Sequence, residues 1–155
     1  MSSLPLFNVA GASSSEVEKL LAGIRSTSYI AEVTSNEVPP GESGLWDAVV
    51  PVNLPDDCSQ SSSIDEQVKA LVAYTTSAKL PDSRSWSASF LIIDSRTSRD
   101  GSLLAVEVGE KKEIDRMRVA PKSVVEVASN LAVQNMPLAE YKAMCKNAEI
   151  FDDGR

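Results

Sequence analysis

In Ser89-Phe90-Leu91-Ile92-Ile93-Asp94, four large apolar residues follow one another without a polar interruption. A strand with one face in water alternates apolar and polar side chains, whereas one covered on both faces need not. The run therefore predicts a strand covered on both faces and hence central in the sheet, ending at Asp94. Downstream, a loop with Arg96, Arg99 and the turn pair Asp100-Gly101 leads into Leu103-Leu104-Ala105-Val106-Glu107-Val108, expected to return antiparallel. After Gly109 and a charged hairpin, Arg116-Met117-Arg118-Val119 alternates, with arginines on one face and apolar side chains on the other.

Upstream, Leu6-Phe7-Asn8-Val9-Ala10 reads as a first strand. Ser13 and Glu16 have capping-box spacing, and Val17, Leu20, Leu21 and Ile24 form the apolar stripe of a helix. Tyr29 to Val33 suggests a second strand, giving a β-α-β crossover. Gly44 to Val50 reads as a short helix stopped by Pro51 and Pro55. Ser63 and Glu66 open another helix, carrying Ile64, Val68, Leu71, Val72 and Thr75. The expected fold is a single α/β domain over residues 1–155. It has a mixed sheet of about five strands, an N-terminal β-α-β unit, an antiparallel meander and two C-terminal helices.

Those last helices follow Pro121, which suits a first helical turn. Val124, Val125, Ala128 and Leu131 supply one apolar face; Leu138, Tyr141 and Cys145 supply the next. Asn130 and Asn135 fit backbone roles at the corner, one tolerating a left-handed conformation and the other capping the second helix. Ile150-Phe151 reads as an apolar plug.

This C-terminal block resembles an uncharacterised family of domains of unknown function, family 6924. The shared elements are Arg118-Val119-Ala120-Pro121, Asn130-Leu131, Asn135-Met136, Glu140-Tyr141 and Ile150-Phe151. They cover the last quarter of the chain. The family's Arg-Thr-Asp-Phe-like segment and early Trp have only Ile24-Arg25-Ser26-Thr27 and Trp46 as counterparts, so the first half departs from the pattern. The resemblance implies an α/β domain and transfers no reaction.

Composition excludes more chemistry than any motif suggests. The 155 residues contain no histidine, which removes His-based nucleophilic triads and His-containing zinc sites. Cys58 and Cys145 are too few for an all-thiolate zinc site, and reduced thiols are the expectation. No glycine-rich phosphate loop is present. No cofactor and no metal is expected. The net charge is −7, and four basic against ten acidic residues precede Pro81. Such a chain has little with which to neutralise a row of phosphates, so nucleic acid is not an expected partner. No apolar run approaches a membrane span, and the first residues lack the features of a signal peptide. The expectation is a cytoplasmic protein with no membrane contact.

Two functions from different classes fit these residues. The first is a non-catalytic domain binding a small molecule or a protein partner, with Trp46, Trp86, Arg96 and Arg116 as contacts. Large aromatics in loops often line pockets, and arginine forks bind carboxylate or phosphate. Arg116 and Arg118 share a strand face about 7 Å apart, and Arg96 and Arg99 would strengthen the clamp if the fold brought them near. The second is a small cofactor-free enzyme of the isomerase, cyclase or lyase type, with Asp94, Glu107, Arg118 and Tyr141 as its acid, base and anion-stabilising groups. Each has a structural alternative. Asp94 can terminate a strand, Glu107 can face solvent or pair with Arg116 or Arg118, the arginines can line an edge strand, and Tyr141 can pack in the core. The enzyme requires these groups to converge on one pocket.

Overall fold

The computed structural model describes residues 2–28, 46–56, 58, 62–77, 80, 85–145 and 148–152. Seven strands form one mixed sheet: β1 (Ser2–Asn8), β2 (Val49–Val52), β3 (Ser85–Trp86), β4 (Phe90–Ile93), β5 (Leu103–Val108), β6 (Ile114–Val119) and β7 (Ile150–Phe151). Six run in the order β2-β1-β4-β5-β6-β7, and β3 pairs with the start of β1. β2 and β4 lie parallel to β1, β5 is antiparallel to both β4 and β6, and β7 is parallel to β6.

The uninterrupted run is the third of these six strands, buried along its whole length. Its residues alternate between two cores. Leu91 and Ile93 join Leu4, Leu6, Leu103 and Ala105 on one face. Phe90 and Ile92 join Phe7, Leu104 and Val106 on the other. The first face is covered by α1 (Ser14–Thr27), α4 (Val124–Ala132) and α5 (Leu138–Cys145), the second by α2 (Ile64–Thr76). Among the described residues the remaining helix, α3 (Thr97–Asp100), is one short turn after β4.

The local signals explain where helices begin. Ser13 and Glu16 form the full capping box, each side chain bonded to the other's backbone N–H. Ser63 accepts from the Glu66 N–H at 3.2 Å. Pro121 opens a 3-10 turn that runs straight into α4, and its missing donor costs nothing there.

Four expectations need correcting or placing. Residues 29–33, read as the second strand, lie outside the described residues. The first described strand after α1 is β2, parallel to β1 and in the segment read as a short helix. Among its described residues, 46–48 form a helical turn, and Pro51 is accommodated because β2 is an edge strand. Ile150-Phe151 is a seventh strand, not merely a plug, because Arg118 and Val119 present a free edge to it. The corner between α4 and α5 also differs. The left-handed residue is Gln134, with φ 54°, not either asparagine. Asn135 does not cap α5, which starts three residues later behind the donorless Pro137.

Asn130 and Asn135 are nonetheless structural. The Asn130 amide donates to the Tyr141 hydroxyl at 2.7 Å and to the Glu126 carbonyl at 3.1 Å. Its oxygen accepts from the Asn135 amide at 2.9 Å. The ring of Tyr141 is fully buried and meets Phe151 edge-on, with centroids 4.9 Å apart.

Candidate functional site

Parallel strands of an α/β sheet open clefts beyond their carboxyl ends, and here those ends belong to β1, β2 and β4. The loop after β1 is held in place by Asn8, whose amide donates to the Ala12 carbonyl at 2.7 Å and whose oxygen accepts from the Ala12 N–H. The Val9 N–H donates to the Ile93 carbonyl at 3.0 Å. Val9 and Ala10 are thereby fixed beside the end of β4.

The loop after β4 is tied down residue by residue. Asp94 Oδ1 accepts from both the N–H and the hydroxyl of Thr97, at 3.3 and 3.2 Å. The Thr97 hydroxyl in turn accepts from the Asp94 N–H. Arg96 donates from Nε to Asp100 at 2.9 Å and from its two terminal nitrogens to Glu149, at 2.7 and 3.2 Å. Gly101 closes the turn at φ +76°, where a Cβ would stand 3.1 Å from Pro121 Cγ; glycine is required for both reasons.

Arg116 and Arg118 come to the same region from β6. In register, Val106 pairs with Arg116 and Leu104 with Arg118, so both guanidiniums rise from the face that α2 covers. Arg118 reaches Asp94 with both terminal nitrogens, and one of them also donates to Ser102 at 3.3 Å. This pair is largely buried, with side chains 12% and 11% exposed. Burial alone would raise the Asp94 pKa. Arg118 and then Thr97 more than offset it, and the carboxyl lies below its ordinary value. Arg116 pairs with Asp65 on α2, but both partners stand in solvent, 41% and 75% exposed.

Together these elements enclose a cleft of 570 Å³ on the α2 side, ringed by Arg96, Arg99, Arg116 and Arg118. Its apolar floor includes Val9 and Leu104, and Gln67 of α2 lines it. Asp94 is the one carboxylate among its described lining residues. In a chain of net charge −7, four guanidiniums gather around one opening, three of them paired with carboxylates. Arg99 makes no side-chain hydrogen bond or ion pair among the described residues. A second cleft of 570 Å³ opens from the same strand ends toward α1. Its Glu16 is committed to the capping box, and the arginines do not reach it.

The remaining expected residues lie elsewhere. Glu107 is on the opposite face of the sheet from Asp94 and Arg118. It accepts from the Leu138 N–H at 3.2 Å and so caps α5, a role no local spacing announces. It pairs with neither arginine; Asp115 is its register partner. Burial first, then the charges of Asp115 and Glu113, raise its pKa. Tyr141 is on that face too, and burial pushes its hydroxyl up to about 12. The four residues required by the enzyme are thus split two and two across a packed sheet. Trp86, expected in a loop, is half-buried within β3, paired with Ser3 of β1, and lines another cleft with Val108, Gly109 and Lys112. Trp46 opens the 3-10 turn that precedes β2. The structure does not bring either tryptophan's segment to the arginine cleft.

Three contributors escaped the sequence reading: Gln67, Asp65 and Glu149. Gln67 had a signal, because it stands three residues after Ile64 and four before Leu71, on the apolar stripe, and is 5% exposed. The two carboxylates had none. Among the described residues no group of three or more His, Cys, Asp or Glu gathers to hold a metal ion. None of the described helices is long and apolar enough to cross a membrane.

No curated protein and no solved structure matches the chain. Residues 47–153 match the family described as Domain of unknown function (DUF6924). That span contains β2, α2 and all of the arginine cleft except its β1 loop, far more than the C-terminal block alone. The chain is therefore a member of the DUF6924 family.

Proposed function

We propose that this domain is a non-catalytic binding module that captures a small anionic molecule in the arginine cleft. One observation carries the reading. Arginines from two separate elements, the turn after β4 and the strand β6, converge on a single opening at the carboxyl end of the parallel strands. A volume of 570 Å³ is in the range of small-molecule sites. The apolar floor can take a short carbon body while guanidinium forks take its charged groups. The one carboxylate among the described lining residues is locked to Arg118 and Thr97 and held below its ordinary pKa. It is therefore poorly suited to accept a proton at neutral pH, which favours capture over catalysis.

The test is thermal unfolding at constant ionic strength with a panel of small mono- and dicarboxylates and phosphate monoesters. A ligand in hundredfold excess over its Kd stabilises by about 2.7 kcal/mol, so a productive member of the panel raises Tm by several degrees. The double variant Arg99→Gln/Arg116→Gln loses that shift. An equal shift in the variant places binding elsewhere and sinks the reading.

A further inference from the structure

The four arginines differ in how fully the protein itself occupies them. Arg118 is paired through both terminal nitrogens with the buried carboxylate of Asp94. Arg96 has all three guanidinium nitrogens engaged, one on Asp100 and two on Glu149. Arg118 is structural, because breaking its pair would leave a charge unmatched in a largely buried site, and Arg96 has no guanidinium nitrogen left over for a ligand. Arg116 is held differently. A single terminal nitrogen meets a single oxygen of Asp65, and both side chains are substantially exposed. An exposed pair of that kind contributes little. Arg99 has no such partner among the described residues.

Asp65 stands on the first turn of α2 and brings its carboxylate to Arg116 from across the cleft, 51 residues away in the chain. We infer that Asp65 is an internal competitor that occupies Arg116 in the empty cleft, and that the ligand is a small dianion which displaces it. The inference rests on the anion-binding reading of the same cleft and specifies its ligand. The guanidiniums left without a partner, rather than the net charge, point to a dianion, since Arg96 alone draws two carboxylates, Asp100 and Glu149. With Asp65 in place, one guanidinium at the opening lacks a counter-charge; once Asp65 swings into solvent, Arg99 and Arg116 both do. A monoanion leaves one of them uncompensated, whereas two negative charges on one molecule match both. Dicarboxylates and phosphate monoesters share this property, and each presents the oxygens that an arginine fork binds. Release of Asp65 is inexpensive because it is already three-quarters exposed.

The experiment is titration calorimetry with succinate, glycerol phosphate and acetate against the full chain and three variants: Asp65→Asn, Arg116→Gln and the double variant. The expected result is that one of the two dianions binds, identifying the source of the charge, and that acetate binds at least tenfold more weakly. Asp65→Asn tightens the dianion about two- to fivefold, the range set by the small worth of an exposed ion pair. Arg116→Gln weakens it, and adding Asp65→Asn to Arg116→Gln changes nothing further. That non-additivity separates competition for Arg116 from a general loss of negative charge. If a dianion binds but Asp65→Asn leaves its Kd unchanged or weaker, Asp65 is no competitor, while the anion-binding reading stands. If acetate binds as well as either dianion, the charge argument is wrong. If none of the three binds to the wild-type chain or to Asp65→Asn at millimolar concentration, both this inference and the binding reading fall.

Discussion

The carboxylate of Asp94, at the end of β4, receives both terminal nitrogens of Arg118 from β6, across the intervening strand β5. Thr97 and Ser102 complete the arrangement, one bonded to the acid and one to the base. The pair joins the turn that carries Arg96 and Arg99 to the strand that carries Arg116, and so holds these two sides of the cleft in one geometry. Asp94 serves here as a positioning residue.

Asp94→Asn should therefore destabilise the fold. Removing one partner leaves the other charge unmatched in a nearly buried site, a loss of about 3 kcal/mol, at the low end for buried pairs because both side chains keep some water contact. The pH dependence follows from the lowered pKa. The carboxylate contributes stability above its unfolded value of 3.8, and this is lost as pH falls through the lower folded value. Urea unfolding of wild type and variant should thus differ most at pH 7 and converge as pH falls below 3.8 and through the folded value. A gap that persists unchanged into strong acid would show that charge is not the cause.

Glu107 should show the opposite sign. Its carboxyl is raised from 4.5 by burial, by Asp115 and by Glu113, against the opposing pull of the Leu138 N–H and Lys142. A raised carboxyl is stabilising when protonated, so its contribution declines as pH rises from 4.5 through the folded value. Glu107→Gln keeps an oxygen for the Leu138 N–H and removes the charge. Its Tm should equal or exceed that of wild type at pH 7, with the advantage gone below pH 4.5. If instead wild type gains on the variant between pH 4 and 7, the carboxylate is needed at the start of α5 for its charge.

Tyr141 should separate into two effects. Tyr141→Phe removes one hydrogen bond from Asn130, whose amide retains the Glu126 carbonyl; the loss should be about 1 kcal/mol. Tyr141→Ala also opens a cavity against Phe151 and should cost on the order of 4 kcal/mol. Asn130→Ala combined with Tyr141→Phe should cost less than the two separately, because they share that bond. Denaturant midpoints at constant m-value provide the measurement. Strict additivity would mean that the hydroxyl and the amide are not coupled.

Legibility followed range. The Phe90–Ile93 run, the two Ser-x-x-Glu starts and the alternation of Arg116 to Val119 are short patterns whose meaning is carried by neighbouring residues, and each lies where expected. The shared face of Arg116 and Arg118 is part of that alternation. That Arg96 and Arg99 join them was stated only as a condition, since no spacing reveals which loop folds over which strand. β2 and β7 were misread because strands of four and two residues carry almost no periodicity of their own and exist through their partners. Asn135 was misassigned because a cap from a distant strand took the place of a local one.

By itself, then, the amino-acid sequence determined the layered α/β class, the starts of α1 and α2 and the chemistry that cannot occur without histidine. Those properties depend on backbone periodicity, caps within one helical turn and composition. Only the tertiary structure decided which carboxylate each arginine meets. Asp65 and Arg116 are 51 residues apart and Arg96 and Glu149 are 53 apart, and ionic partners at such separations are chosen by how the sheet is ordered. The same order divides Asp94 from Glu107 and gathers the arginines at one opening, because alternate residues of a strand face opposite sides while loops at one end of a sheet converge.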